Sequence, residues 1–412
     1  WIKVGEVQND DSIHPDEMLP DTDNGGVLKN YQWQLQNCPQ LFVLPEAMGS
    51  LPAGTLLCAG NAVTIEENAL KVSDAGDGGL WKTSLDLYYS TDGGENWNYI
   101  STLAEGGRNI MGYDPVWEPF FVYYDNQLIC YFSDERVYEY NNNQKLVHRT
   151  TTDGINWTEL VDDVMIPGDH CRPGMPIVSQ MENGQWIYVY EGVGISNPFV
   201  SFYKISDSPL DWGDPADKGK ILWESGSPYV TTLSDGRIIA NTSAASEILI
   251  NTSKNGTGKW IPYSTGGVPA TYNRCLLQLS SGELLITGSG KGFGRSDNYI
   301  YTKLVDVNDL PETNINKAQF ITSKKNDKVI GIWQGSASAG ASAVTWTNTS
   351  ATNQMWIPEQ CDDGSYVLKN FQTEKVLAVK DSKINSTIIQ ADETNDETDN
   401  GKSQHWIIKN AG

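Results

Sequence analysis

The chain has 412 residues, 39% of them hydrophobic, so one large and one smaller domain are expected in place of a single core. A formal net charge of −23 with only 29 Lys+Arg excludes the basic footprint that nucleic acid or an anionic membrane surface demands. A neutral polysaccharide fits that charge best, and no apolar run reaches the ~18–20 residues of a membrane span.

Starting at Trp1, the chain reads as a mature product of a secreted protein, and a monomer is the default. The six Cys show no C-x-x-C spacing and there are four His, so neither a zinc site nor a cofactor is expected, and no metal-ligand motif is evident; an ion on the propeller axis would leave none. One or two disulfides and buried free thiols both fit an extracellular protein. The 14 Trp and 19 Tyr serve equally as core residues of a β protein or as faces on which sugars stack.

In chain order, an apolar strand, a Gly-containing turn and a second apolar strand recur. The copies are residues 39–43 with 54–57, 119–124 with 127–130, 173–180 with 184–187, 228–233 with 236–239, and 275–279 with 282–285. Their spacing is mostly roughly 47 to 55 residues, the period of propeller blades, with one early interval of about 80 that implies a long loop or insertion. Each copy reads as the inner hairpin of a four-stranded blade. Five copies and a blade closed by segments near both ends of the domain predict an all-β, six-bladed β-propeller over 1–316.

A second signature follows in several blades. Ser90-Thr91-Asp92-Gly93-Gly94-Glu95-Asn96-Trp97 fits the Asp-box S-x-D-x-G-x-x-W in full. The stretch from Thr151 to Trp157 is one residue short of it, and that from Ser253 to Trp260 has Asn255 for the Asp. The pattern is a tight turn in which the acid accepts from turn amides and Trp packs beneath. It is structural, and places the chain among sialidase-like propellers.

Among many acidic residues, two break the apolar pattern of strands near the propeller axis. Glu118 precedes the inner strand of its blade, and Glu191 closes the strand 185–191 in the next. Two carboxyls flanking one bond are the minimum equipment of a glycosidase; salt-bridging to nearby Arg is the alternative.

The stretch Trp117-Glu118-Pro119-Phe120-Phe121 is followed by Tyr131-Phe132-Ser133-Asp134-Glu135-Arg136 and Gln144-Lys145-Leu146-Val147-His148. Then come Arg172-Pro173-Gly174-Met175-Pro176 and Tyr190-Glu191. In order and spacing this run resembles glycoside hydrolase family 93, densely over about 113–192. The resemblance implies a retaining exo-α-1,5-L-arabinanase that releases arabinobiose from arabinan, with Glu118 and Glu191 as its catalytic pair. Desolvation at the end of an aromatic strand suits Glu191 to the acid/base role and leaves Glu118 as nucleophile. Trp117, Asp134, Arg136, Arg172, Tyr190 and Arg274 are the candidate substrate contacts.

Two other readings stay open. A sialidase needs an Arg two residues before a Pro in the first blade, where Asn37 stands here. A propeller that only binds glycans shares the fold and lacks the paired glutamates.

After about Lys317 the pattern changes. Two units some 50 residues apart end in Gln354-Met355-Trp356 and Gln404-His405-Trp406, and resemble ricin-type β-trefoil repeats over 317–412. Only two of the three repeats a trefoil needs are evident. Sugar-binding repeats of that family carry an Asp where Gly331 and Ala378 stand. Trp346 and Asn353 keep part of a site in the earlier unit, so carbohydrate binding and a structural cap are both open.

Overall fold

A computed structural model of the chain describes residues 3–8, 12–21, 25–66, 82–108, 111–112, 114–136, 143–243, 246–258, 260–265, 271–272, 274–289, 299–310, 318–349, 351–361, 363–394 and 402–407. Regular structure is almost wholly antiparallel β. The first sheet runs β2 (Val27–Val43), β3 (Leu56–Glu66), β4 (Thr83–Ser90) and β5 (Asn98–Gly106), with β1 (Glu17–Asp21) along the start of β2. The second comprises β6 (Val116–Tyr124), β7 (Gln127–Asp134), β8 (Lys145–Thr151) and β9 (Val161–Val164). The third comprises β10 (Arg172–Gln180), β11 (Trp186–Val193), β12 (Ser201–Ser206) and β13 (Lys220–Trp223). Then come β14 (Tyr229–Thr232), β15 (Ile238–Asn241), β16 (Ile248–Asn251) and β17 (Ile261–Tyr263), followed by β18 (Cys275–Gln278), β19 (Leu284–Ser289) and β20 (Ile300–Val305).

Each sheet follows chain order, as a meander of short hairpins dictates, and each is a propeller blade. The described residues supply five blade sheets. The sixth expected from the repeats is not formed among them. The long early interval lies between β3 and β4 and includes residues 67–81, outside the described residues.

The core sits between blades. Leu57, Leu85 and Leu87 of the first pack against Phe121, Leu128 and Phe132 of the second. Tyr131 of the second meets Tyr188 and Tyr190 of the third, and Val189 of the third meets Ile238 and Leu249 of the fourth. Each such aliphatic or aromatic side chain contributes about 1.5–3 kcal/mol when removed from water. A lone blade would leave one face of that inventory wet, which is why the repeats are stable as an array.

The turn at Ser90–Trp97 is built by its side chains. Asp92 accepts from the Asn96 amide at 3.0 Å, Ser90 Oγ accepts from the Gly94 amide at 2.9 Å, and Trp97 Nε1 donates to the Gly94 carbonyl. Asp153 does the same for Ile155 and Asn156, and Asn255 for Thr257. Those amides hold the Asp92 carboxyl at about 2 and place that of Asp153 lower still.

One backbone irregularity repeats where the blades meet the axis. Cys38, Glu118, Met175 and Ser227 have φ of 53°, 61°, 56° and 50°, the left-handed region that non-Gly residues seldom occupy. Each is followed by a proline: Pro39, Pro119, Pro176 and Pro228. In the first three blades the strand pairing slips there, as a β-bulge does. Just before the slip, Asn37 pairs with Asn61, Trp117 with Ser133 and Gly174 with Glu191. The side chain of Asn37 is outside the described residues.

The C-terminal unit contains β21 (Val329–Ile332), β22 (Ala343–Trp346), β23 (Trp356–Gln360), β24 (Tyr366–Asn370), β25 (Val376–Val379), β26 (Ile388–Ala391) and β27 (His405–Trp406). Its two Q-x-W motifs are built alike. Gln354 and Gln404 donate to the Thr347 and Asp392 carbonyls, and Trp356 and Trp406 donate to those of Ile330 and Leu377. The indoles join the core of the unit with Ile332, Leu368 and Leu377. Ile261 of the fourth blade packs with Met355, Ile357 and Phe371, joining the unit to the propeller. The expected boundary at 316/317 lies outside the described residues. All six Cys are free thiols, and no helix among the described residues is long and apolar enough to cross a membrane.

Candidate active site

The first strands of all five blades line a cavity of about 460 Å³ that includes Cys38, Glu118, Met175, Tyr229 and Cys275. The left-handed turn at residue 118 swings the Glu118 carboxylate toward the third blade. There it accepts from the Met175 amide at 2.6 Å and, from its own blade, the Ser133 hydroxyl at 2.8 Å. Glu191 ends the alternation of β11 on the axial side and accepts from the Ser227 amide at 2.8 Å. Each carboxylate is therefore held by the left-handed residue of the following blade. The Glu118 amide repeats the pattern by donating to Asn61 of the first.

The two carboxylates converge on Gly174. The place a Cβ would take on that residue is 3.5 Å from Glu118 Oε2 and 3.5 Å from Glu191 Oε1. Two such legs bound the separation of the oxygens. That bound admits the ~5–5.5 Å of a retaining pair.

Burial raises both groups, and for Glu191 the charge of Glu118 adds to it, pushing its carboxyl up to about 7. Two donors favour the anion of Glu118, against one for Glu191. These hydrogen bonds favour the anion on Glu118 over the anion on Glu191. The Arg172 guanidinium acts on both as a nearby positive charge.

Arg172 is itself aimed by Glu135 at 2.6 Å and Gln144 at 2.9 Å, and its buried Nη1 has no hydrogen-bond partner among the described residues. Glu135 also accepts from Trp117 Nε1 at 3.1 Å and from the Gly112 amide. Trp117 and Arg172 thus stand together beside the carboxylates, fixed by one acid that the sequence reading left out. Ser133, Glu135 and Gln144 lay within the quoted motifs but received no role there. Tyr272 also escaped. Although the residue as a whole is 45% exposed, its hydroxyl is pushed up by desolvation together with the nearby charges of Glu118 and Glu191.

Three expected substrate contacts are placed differently. Tyr190 is fully buried, stacks on Phe202 at 5.6 Å and donates to the Lys218 carbonyl. Successive side chains of a strand face opposite ways, so Glu191 at the axis puts Tyr190 between blades. Arg274 is 1% exposed and donates to the carbonyls of Thr242, Ser246 and Glu247, which makes it a tie between the fourth and fifth blades. Asp134 is also buried and is spent on Arg136, accepting from its amide, Nε and Nη2. Arg136 remains partly exposed and donates onward to the Glu105 carbonyl.

Gly226 is a further requirement of this geometry. A Cβ there would lie 2.6 Å from Glu191 Oε2 and run into the Phe199 ring. Gly226→Ala is expected to lower kcat about 100-fold by displacing the carboxylate, with the melting temperature changed by only a few degrees. Steady-state kinetics beside a thermal melt checks it.

A ricin-type beta-trefoil lectin domain-like family model matches residues 311–392. No curated protein matches the chain. Among solved structures, the GH93 alpha-L-arabinofuranosidase of Fusarium graminearum in complex with arabinobiose is 31% identical. That match covers 70% of this chain and 84% of that one at a TM-score of 0.58. The alpha-L-arabinanase of Penicillium chrysogenum complexed with arabinobiose is also 31% identical, over 70% of this chain and 80% of that one, at a TM-score of 0.58. Identity at that level over most of the length of such enzymes fits the carboxylate pair on a propeller axis, and the chain belongs to glycoside hydrolase family 93.

Proposed function

We propose that this glycoside hydrolase is a retaining exo-α-1,5-L-arabinanase that releases arabinobiose from the ends of plant arabinan outside the cell. The observation that carries the reading is the convergence of Glu118 and Glu191 on Gly174, one carboxyl stabilised as the anion and the other holding the proton. The relatives bound to arabinobiose support the substrate, and the acidic surface suits a neutral polymer.

In the first step Glu118 attacks the anomeric carbon while Glu191 gives its proton to the departing glycosidic oxygen, so the C–O bond breaks as a glycosyl ester forms. In the second, Glu191, now ionised, takes a proton from water. The water oxygen displaces Glu118 and restores the starting configuration. Arg172 offsets the negative charge of the pair, and the Ser133 hydroxyl and Met175 amide hold the Glu118 carboxylate in place.

The test is digestion of linear α-1,5-arabinan, with products resolved by chromatography and the anomer followed by proton NMR. Arabinobiose as the first product, in the α configuration, is the expected result. Release of a mixed ladder of oligomers removes the exo reading, and an initial β product removes retention.

A further inference from the structure

The middle residues of the two Q-x-W motifs meet different surroundings. Met355 is buried with Ile261 of the propeller, in a cluster separate from the one that holds Trp356. His405 is exposed. Its backbone is held from both sides, because Gln404 bonds Asp392 and Thr394 while Trp406 donates to the Leu377 carbonyl.

Strand β27 lies along β24, with His405 opposite Val367, so the hairpin between β23 and β24 is its neighbour. Cys361 closes that hairpin. Its amide donates to the Ser365 carbonyl at 2.9 Å and its carbonyl accepts from the Gly364 amide at 3.0 Å, with Gly364 at a φ of 82°. Asp363 Oδ1 accepts from the Ser365 amide and hydroxyl, and Oδ2 lies 3.7 Å from His405 Nδ1. That nitrogen also meets Ser365 Oγ at 2.9 Å. A thiol, a carboxylate and an imidazole thus come together, their ligand atoms all within 4.8 Å of one another.

Ligand atoms on one tetrahedral ion stand roughly 3.3–3.7 Å apart when the bonds are about 2.0–2.3 Å long. The acid and the imidazole are already at that spacing, and the half-buried thiol needs a change of rotamer to join them. Sulfur, nitrogen and oxygen donors together suit a borderline ion, whereas calcium and magnesium take oxygen alone. The net charge of −23 attracts any cation.

We propose that Cys361, Asp363 and His405 bind one Zn²⁺, with water as the fourth ligand, and that the ion clamps the β23–β24 hairpin to β27. On binding, the thiol releases its proton to solvent and Nδ1 exchanges the Ser365 hydroxyl for the metal. Ser365 keeps its hold on Asp363 Oδ1, which leaves Oδ2 to coordinate. The clamp matters because β27 is two residues long and pairs with β24 through Tyr366 and Val367. No spacing motif records the set, since His405 comes 40 residues after Ser365.

The experiment strips the full chain with a chelator, keeps it reduced and titrates it with Co²⁺, whose bond to a thiolate gives a near-ultraviolet charge-transfer band. One equivalent is expected to develop that band, and one equivalent of Zn²⁺ to remove it. Cys361→Ser should abolish the band, while His405→Ala and Asp363→Asn should each weaken Co²⁺ binding about tenfold or more, with every variant melting as the metal-free parent does. Zn²⁺ should also raise the melting temperature of the parent by a few degrees and leave that of Cys361→Ser where it was. A parent that shows no band, or a band that persists in Cys361→Ser, overturns the site. Binding that needs Cys361 but is indifferent to His405→Ala overturns the clamp.

Discussion

Glu118→Ala and Glu191→Ala are each expected to lower kcat on α-1,5-arabino-oligosaccharides by about 10⁴-fold, and to differ in what restores them. With an aryl arabinofuranoside, whose leaving group needs no proton, the Glu191 variant should still form the glycosyl ester on Glu118. Added azide would then enter in place of water and give the α-arabinosyl azide, with net retention. In the Glu118 variant azide occupies the emptied space and attacks directly, giving the β product. The anomer of the azide, read by NMR, therefore assigns the two roles independently of rate. Identical azide products from both variants would contradict the division of labour drawn from their hydrogen bonds.

The second large effect is a conflict between activity and stability at Glu191. Its carboxyl stands at about 7, above the usual 4.5, because burial and Glu118 both oppose its ionisation. The folded state therefore keeps a proton that the unfolded chain releases. The stability this group contributes is fully present below about 4.5 and is lost as pH rises through about 7. A shift of that size corresponds to about 3 kcal/mol. Glu191→Gln, which cannot ionise, is expected to melt a few degrees higher than the parent at pH 8 and equally at pH 4, while losing its turnover. In the parent, kcat/KM should fall above about pH 7 as the proton donor is lost, with both limbs belonging to the coupled pair. Melting curves at the two pH values that show no divergence between parent and variant would remove the argument.

Much of this was readable in the chain. The hairpin copies were visible because a buried strand, a Gly turn and a second strand leave a strong local pattern, and Glu118 and Glu191 stood out by interrupting it. Tyr190 and Arg274 were misjudged for a reason local pattern cannot supply. Alternation says that neighbours on a strand face opposite ways, but which way is the axis depends on how blades pack. Glu135 was hidden because its meaning comes from Arg172, which lies 37 residues away and in another blade.

The left-handed residue before proline has a consequence for how this enzyme could change. Cys38, Glu118, Met175 and Ser227 occupy one backbone seat in four consecutive blades, and Asn61, Ser133 and Glu191 occupy the seat opposite in three of them. The amides of Glu118, Met175 and Ser227 each donate to a side chain of the preceding blade, so one backbone frame is repeated around the axis, and Glu118 and Glu191 are two of the side chains it carries. Moving the reaction around the axis, or adding a second reactive group at Cys38, would require exchanging side chains on a preformed frame, leaving its backbone as it is.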